Sequence, residues 1–232
     1  MDKTLTKVIK NAGGGKHCLL VAGATLAILT PFQAAQASVI FSQAADFPSG
    51  NVLASQNDTN SFGNFATVYD NFSFSSDNLV DGVDWVGGYF NGSPAAISSF
   101  ALSIFSNNAG QPGSLLFSET ITGNAGETFI GTSNLGSPTY SYSASLTNTF
   151  LAQAGATYWL AIVPSLGFPP QWGWYPSSQG DGVGYQDFLG SRSQTGDFAF
   201  SLTGQQVPEP SAILGLLGLG LLGIGSQFKQ KR

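Results

Sequence analysis

The sequence predicts an all-β protein: a jelly-roll-like two-sheet sandwich of roughly eight to ten strands. An N-terminal signal peptide and a C-terminal single membrane helix are expected on either side of it. Three observations carry the prediction. Apolar and polar residues alternate with period two across residues 38–206. Clusters of Gly, Asn, Ser and Pro break that alternation at short intervals. No segment of 38–206 sustains the 3.6-residue period of an amphipathic helix.

The elements follow in chain order. Lys3, Lys7, Lys10 and Lys16 precede an apolar run from Cys18 to Leu29, and Ala35-Gln36-Ala37 follows it. A basic region, a short apolar region and a small-residue cleavage site together describe a secretory signal peptide. Signal peptidase is expected to cut after Ala37, making Ser38 the first mature residue. Cys18 sits at the start of the apolar run, whereas a lipid-modified cysteine would follow it. The chain therefore divides into a signal peptide (1–37), an ectodomain (38–206) and a C-terminal segment (207–232).

The ectodomain is long enough for one domain with its own core. It has lost the only His, Cys and Met of the chain and all six lysines. Arg192 is its one cation against eleven carboxylates, a formal charge of −10. These absences exclude whole classes of chemistry. There can be no Ser-His-Asp triad, thiol nucleophile, Schiff-base lysine or zinc site of nitrogen and sulfur ligands. One arginine cannot neutralise a phosphate backbone, so nucleic acid is no partner. No phosphate-binding glycine loop or dinucleotide fingerprint occurs, and no cofactor is expected.

The strand pattern is clearest in "TYSYSASLT" at 139–147. There Tyr140, Tyr142, Ala144 and Leu146 alternate with Ser141, Ser143, Ser145 and Thr147. Phe100, Leu102 and Ile104 repeat it, as do Phe198, Phe200 and Leu202. Further apolar runs cover 66–74, 79–90, 115–121 and 158–163, and Trp85 and Trp159 within such runs are expected in the core. The intervening "NGSP" at 91–94, "NNAGQPG" at 107–113, "GNAG" at 123–126 and "NLGSP" at 134–138 read as turns. "SQNDTNSFGN" at 55–64 reads as a loop, and "PPQWGWYPSSQGDG" at 169–182 has a loop-like composition.

The chain then passes through Val207-Pro208-Glu209-Pro210 into an uncharged run, 211–228, and ends on Lys229, Lys231 and Arg232. As a helix the run would reach about 27 Å, just short of a bilayer core. Its five glycines disfavour a helix in water and are tolerated in lipid. The order of motif, apolar run and basic end resembles the PEP-CTERM sorting signal. That resemblance implies an exosortase, a membrane cysteine protease or transpeptidase, which processes the protein at or near the motif. It implies export through the inner membrane, transient anchoring, and a final place at the cell surface or outside it. The stretches at 68–92, 100–121, 157–164 and 196–204 also resemble the β-sandwich domains that such proteins often carry.

Three candidate sites remain in the ectodomain. Trp172, Trp174 and Tyr175, exposed together, would stack on the C–H faces of exopolysaccharide or other glycans; enclosed, they would cap or fill the sandwich. Asp77, Asp81 and Asp84 supply the hard oxygens that Ca²⁺ prefers, although their spacing is not that of an EF-hand. Glycoside hydrolysis needs only two opposed carboxylates, but the sequence does not select a pair from eleven. The sequence thus favours a non-enzymatic exported surface or matrix protein, with a carbohydrate-binding module as the alternative.

Overall fold

The computed structural model describes residues 38–208. The expected signal peptide with Ala35 and Ala37, the motif residues Glu209 and Pro210, and the apolar run 211–228 lie outside the described residues.

Among the described residues there are sixteen strands and no helix. They are β1 (Ser38–Gln43), β2 (Leu53–Ala54), β3 (Gln56–Asp58), β4 (Gly63–Ser73), β5 (Asn78–Phe90) and β6 (Ser99–Asn108). The chain continues through β7 (Gln111–Thr122), β8 (Thr128–Thr132), β9 (Pro138–Ala152), β10 (Thr157–Leu166) and β11 (Gln171–Trp174). It closes with β12 (Pro176–Ser177), β13 (Gly184–Phe188), β14 (Ser191–Thr195), β15 (Asp197–Phe198) and β16 (Phe200–Gln206). The count exceeds eight to ten because short bridging strands break out of segments that read as loops.

Two seven-stranded sheets hold most of these strands. In the first, β5 is the spine: β16 and then β11 pair along one edge of it, β9 pairs along the other, and β1, β2 and β8 extend the sheet outward. In the second, β10 and β4 lie at the centre with β3 wedged beside them. The β6–β7 hairpin flanks them on one side and the β13–β14 hairpin on the other. β6 turns into β7 through Ala109 and Gly110, both at positive φ, which gives the tight hairpin that Asn-Ala-Gly composition suits.

Both sheets send alternate residues into one shared core, a sandwich-like arrangement. Trp85, Tyr142, Trp172, Trp174, Phe200 and Leu202 enter from the first sheet. Phe72, Phe100, Leu102, Ile104, Leu160 and Ile162 meet them from the second. Each such side chain contributes about 1.5–3 kcal/mol by leaving water. In β9, Tyr142, Ala144 and Leu146 are buried while Ser143, Ser145 and Thr147 are exposed, as the alternation predicts.

Trp85 lies in this core, stacked on Tyr142 at 5.5 Å. Trp159 is buried elsewhere. Its neighbours Tyr158 and Leu160 face the core, so Trp159 points to the opposite side of β10, where it packs with Tyr69 and Ala161 beneath Tyr185 of β13. The expectation of a core tryptophan holds for both, Trp85 in the shared core and Trp159 in a smaller cluster on the other side of β10.

Candidate functional site

The junction between domain and tail is built by β16. This strand pairs on both sides, with β1 and with β5, and its last rung joins Gln206 to Asn78. One residue later the Val207 amide donates to the Asp77 carbonyl at 2.8 Å. Asp77 in turn accepts the Ala154 amide on Oδ1 at 2.8 Å. The chain therefore leaves the domain from an interior strand, with Val207 and Pro208 just beyond it. Ser38, the expected first mature residue, opens β1 and pairs with Gly204. The start of the ectodomain and its exit lie at the same end of the same sheet.

The three aspartates proposed for Ca²⁺ are not brought together. Strand β5 is extended, so Asp77 and Asp84 are separated by about 23 Å of chain at 3.3 Å per residue. Asp77 straps the exit, and Asp81 accepts the Thr203 hydroxyl at 2.9 Å. Asp84 faces outward in the rung Ser42–Ser201–Asp84–Ser143, on the floor of a groove of about 360 Å³. Among the described residues no three of His, Cys, Asp and Glu stand close enough to hold a metal.

The aromatic platform is also corrected. Trp172, Trp174 and Tyr175 are each 0% exposed. The segment read as a loop contains β11, which pairs with Tyr89 and Gly87 of β5 and turns both indoles inward. Trp172 Nε1 donates to the Tyr142 hydroxyl at 3.0 Å, and Trp174 Nε1 to the Ala199 carbonyl at 2.8 Å. Glycine makes the slot: a side chain at Gly87 would run into the Trp172 ring, and a Cβ at Gly173 would lie 2.8 Å from the Leu53 carbonyl. Tyr175 is enclosed with Val52 and Ala199. None of these three rings is left for a sugar to stack on.

The loop read at 55–64 contains residues the sequence reading missed. Ser55 Oγ donates to the Ile162 carbonyl at 2.6 Å, and Gln56 Oε1 accepts the Trp172 amide at 2.8 Å. Asp58 gathers four backbone amides, those of Asn60, Ser61, Phe62 and Phe168, at 2.8–3.0 Å. These bonds, that of Phe62 foremost, hold its carboxyl far below the usual carboxylate range against the opposing effect of burial. Asp-Thr-Asn-Ser is a local turn signature, and that was the readable signal.

A second group surrounds Asp70, which is 0% exposed in the middle of β4. It accepts the Phe198 amide at 2.6 Å and the Asn71 amide at 2.7 Å. Burial, with the charges of Asp197 and Asp181 adding to it, raises its pKa well above 3.8. The cation Arg192 is engaged elsewhere, bidentate on Asp187 at 2.7 and 2.8 Å and 5.2 Å over the Tyr69 ring.

Residues 206–230 match the PEP-CTERM protein-sorting motif. The matched segment begins at the last residue of β16 and takes in Val207, Pro208, Glu209 and Pro210. A search of curated proteins gives no match for the chain. The motif indicates an exported, exosortase-sorted protein that is transiently anchored in the membrane.

Proposed function

We propose that this chain is a non-enzymatic protein of the cell surface or extracellular matrix, released or transferred by an exosortase after signal peptidase has freed Ser38. The observation that carries the reading is the motif's position, directly after an interior strand of the domain. β16 is paired on both sides up to Gly204 and on β5 alone to Gln206, so the folded domain would end beside the motif and leave it clear. Pro208 and Pro210 fix φ and oppose helix formation, which would present Glu209 in extended backbone to the processing enzyme. The apolar run 211–228 would hold the chain in the bilayer meanwhile, with Lys229, Lys231 and Arg232 on the cytoplasmic side.

A structural role for the ectodomain is supported by its grooves. Asp84 is the one carboxylate along the groove over the first sheet, and the groove of about 260 Å³ over the second has none. Glycoside hydrolysis would need two. The all-β, two-sheet arrangement supports a jelly-roll-like sandwich as the architecture presented to the outside.

Replacing Pro208-Glu209-Pro210 by alanines tests the reading. The variant should still insert in the membrane but keep its tail, as shown by fractionation and by the mass of the mature protein in cells with and without exosortase. Normal processing of that variant would replace the sorting reading by a plain membrane tether.

A further inference from the structure

The hairpin of β13 and β14 turns through only two residues, Leu189 and Gly190, because Phe188 pairs directly with Ser191. Both stand at positive φ, 48° and 82°, as the tightest hairpin turn requires. Its first position favours Asn, Asp or Gly, and a leucine there carries the strain of a left-handed backbone. The Leu189 amide donates to the Phe65 carbonyl at 2.8 Å, a bond that any of those residues could make. Its side chain is 66% exposed. The fold alone gives no reason for a leucine at this position, and such a strained, exposed residue points to a contact outside the domain.

An apolar hollow of about 140 Å³ lies beside it. Phe62, Phe65, Phe168 and Phe188 wall the hollow, Gln171 closes one side, and Leu189 stands on the rim. The rings brace one another edge to face, Phe62 on Phe168 at 5.9 Å and Phe65 on Phe188 at 5.9 Å. Even so, Phe62 is 61% exposed and Phe188 38%. Three large apolar side chains exposed side by side mark an interaction surface. No charged side chain lines the hollow, although the ectodomain has a formal charge of −10.

Knob and hollow fit each other. An apolar cavity of about 150 Å³ accepts a group the size of benzene, and the isobutyl group of leucine is smaller. Both features share one surface, so a two-fold axis beside the rim lets each copy's leucine enter the other's hollow. Two copies of equal negative charge repel over most of their surface, and an uncharged apolar face is where they can meet. This face also stays free while the tail is anchored. Gln171 pairs with Phe90, at the opposite end of β5 from Asn78 and so about 40 Å from the exit.

We propose that the Leu189 turn and the phenylalanine hollow form a self-association site, whose occupant is Leu189 of a second copy of this chain. The contact is small, so pairing is weak, with a Kd on the order of 10 µM. The site uses no atom of the tail and stands or falls apart from the sorting reading.

The test is sedimentation of the full-length protein in lipid nanodiscs at one copy per disc, which keeps the tail in lipid and the Leu189 end in water. Disc pairs should form at about 50 µM protein and separate on dilution to about 1 µM. Leu189→Asn should weaken pairing at least tenfold, because each pair loses two buried leucines. The same change should raise Tm by roughly 2–4 °C, since asparagine accepts the backbone of the turn, and that rise separates a lost contact from a lost fold. Phe62→Ser, in an exposed wall of the hollow, should weaken pairing to a similar degree. Leu135→Asn is the control: its leucine is 65% exposed but does not line the hollow, and pairing should be unchanged. Discs that stay single at 50 µM would overturn the proposal, as would pairs that survive Leu189→Asn or Phe62→Ser. A lower Tm in Leu189→Asn, or loss of pairing in Leu135→Asn, would overturn it as well.

Discussion

Asp58 and Asp197 are almost equally buried, yet their carboxyls are driven in opposite directions. Asp58, at the end of β3, receives four backbone amides, and ionises far more readily than a free carboxylate. Asp197, in β15, has one unpaired oxygen; burial foremost raises its pKa, the charge of Asp181 adds to this, and the amides of Gly182, Val183 and Asp181 oppose it. Both side chains are nearly covered, but the Asp197 carboxyl lies among more protein, so desolvation and the supply of N–H donors together decide whether a covered carboxylate steadies the fold as an anion or strains it.

The largest expected effect is at the well-supplied end. Asp58→Ala would orphan four amides at once and release the turn that seats Phe62 and Phe168. Tm should fall by roughly 5–10 °C. Phe62, already exposed, should become a faster site of chymotryptic cleavage. Asp58→Asn keeps one acceptor oxygen and should recover part of the loss. An unchanged Tm in Asp58→Ala would break the comparison, because the four bonds would then contribute nothing.

The next effect is on pH. Asp70 and Asp197 have folded pKa values raised above 3.8, so the native state binds more protons than the unfolded chain from about pH 4 up to those values. Through that window stability falls as pH rises. Asp58 and Asp187 are lowered, so their contribution is present above about pH 4 and is lost as pH falls through their folded values. Tm should therefore peak near pH 4 and fall by roughly 2–4 °C as pH rises through the folded values of Asp70 and Asp197, with a second decline on the acid side. Asp197→Asn should flatten the upper limb and leave the acid limb in place. A Tm that rises steadily with pH above about pH 4 would show that the Asp70 and Asp197 pair is not under strain.

The sheet core was legible because period-two alternation records which face of a strand is dry. That signal placed β9, β6 and the end of the domain, and the glycine-rich turns between them. It failed for β11, where Pro, Gly and Ser around Trp172 and Trp174 look like a loop. What makes that segment a strand is the slot opened by Gly87 and closed by Leu53, and neither is local in sequence. It failed for Asp77, Asp81 and Asp84 in the opposite sense: nearness along an extended chain spreads side chains apart. Phe62 and Leu189 are separated by most of the domain, so only the fold could bring them together. A carboxylate inside an apolar run, as at Asp70, was a readable anomaly, but its partners were not.

The smallest effect tests whether charge pairing could do what amides do at Asp58. Arg192 donates to both oxygens of Asp187, gives Nη1 to the Pro112 carbonyl at 3.1 Å and covers the Tyr69 ring. The Tyr69 hydroxyl also donates to Asp187 at 3.1 Å, and burial, with Asp187 beside it, pushes its pKa up to about 12. On paper this cluster is as well connected as Asp58. Its ion pair, however, is about a third exposed on both sides, so water already screens the attraction. Arg192→Met keeps the apolar stem over Tyr69 and removes the charge; it should cost about 0.5–1 kcal/mol, a Tm change of roughly 1–4 °C. The loss should shrink in 0.5 M salt, whereas that of Asp58→Ala should shrink less, because its contacts are short hydrogen bonds to backbone amides and not an ion pair. A drop in Arg192→Met that matches Asp58→Ala and resists salt would show that a single guanidinium can replace four amides here, and the distinction between the two aspartates would then lie in charge and not in donor supply.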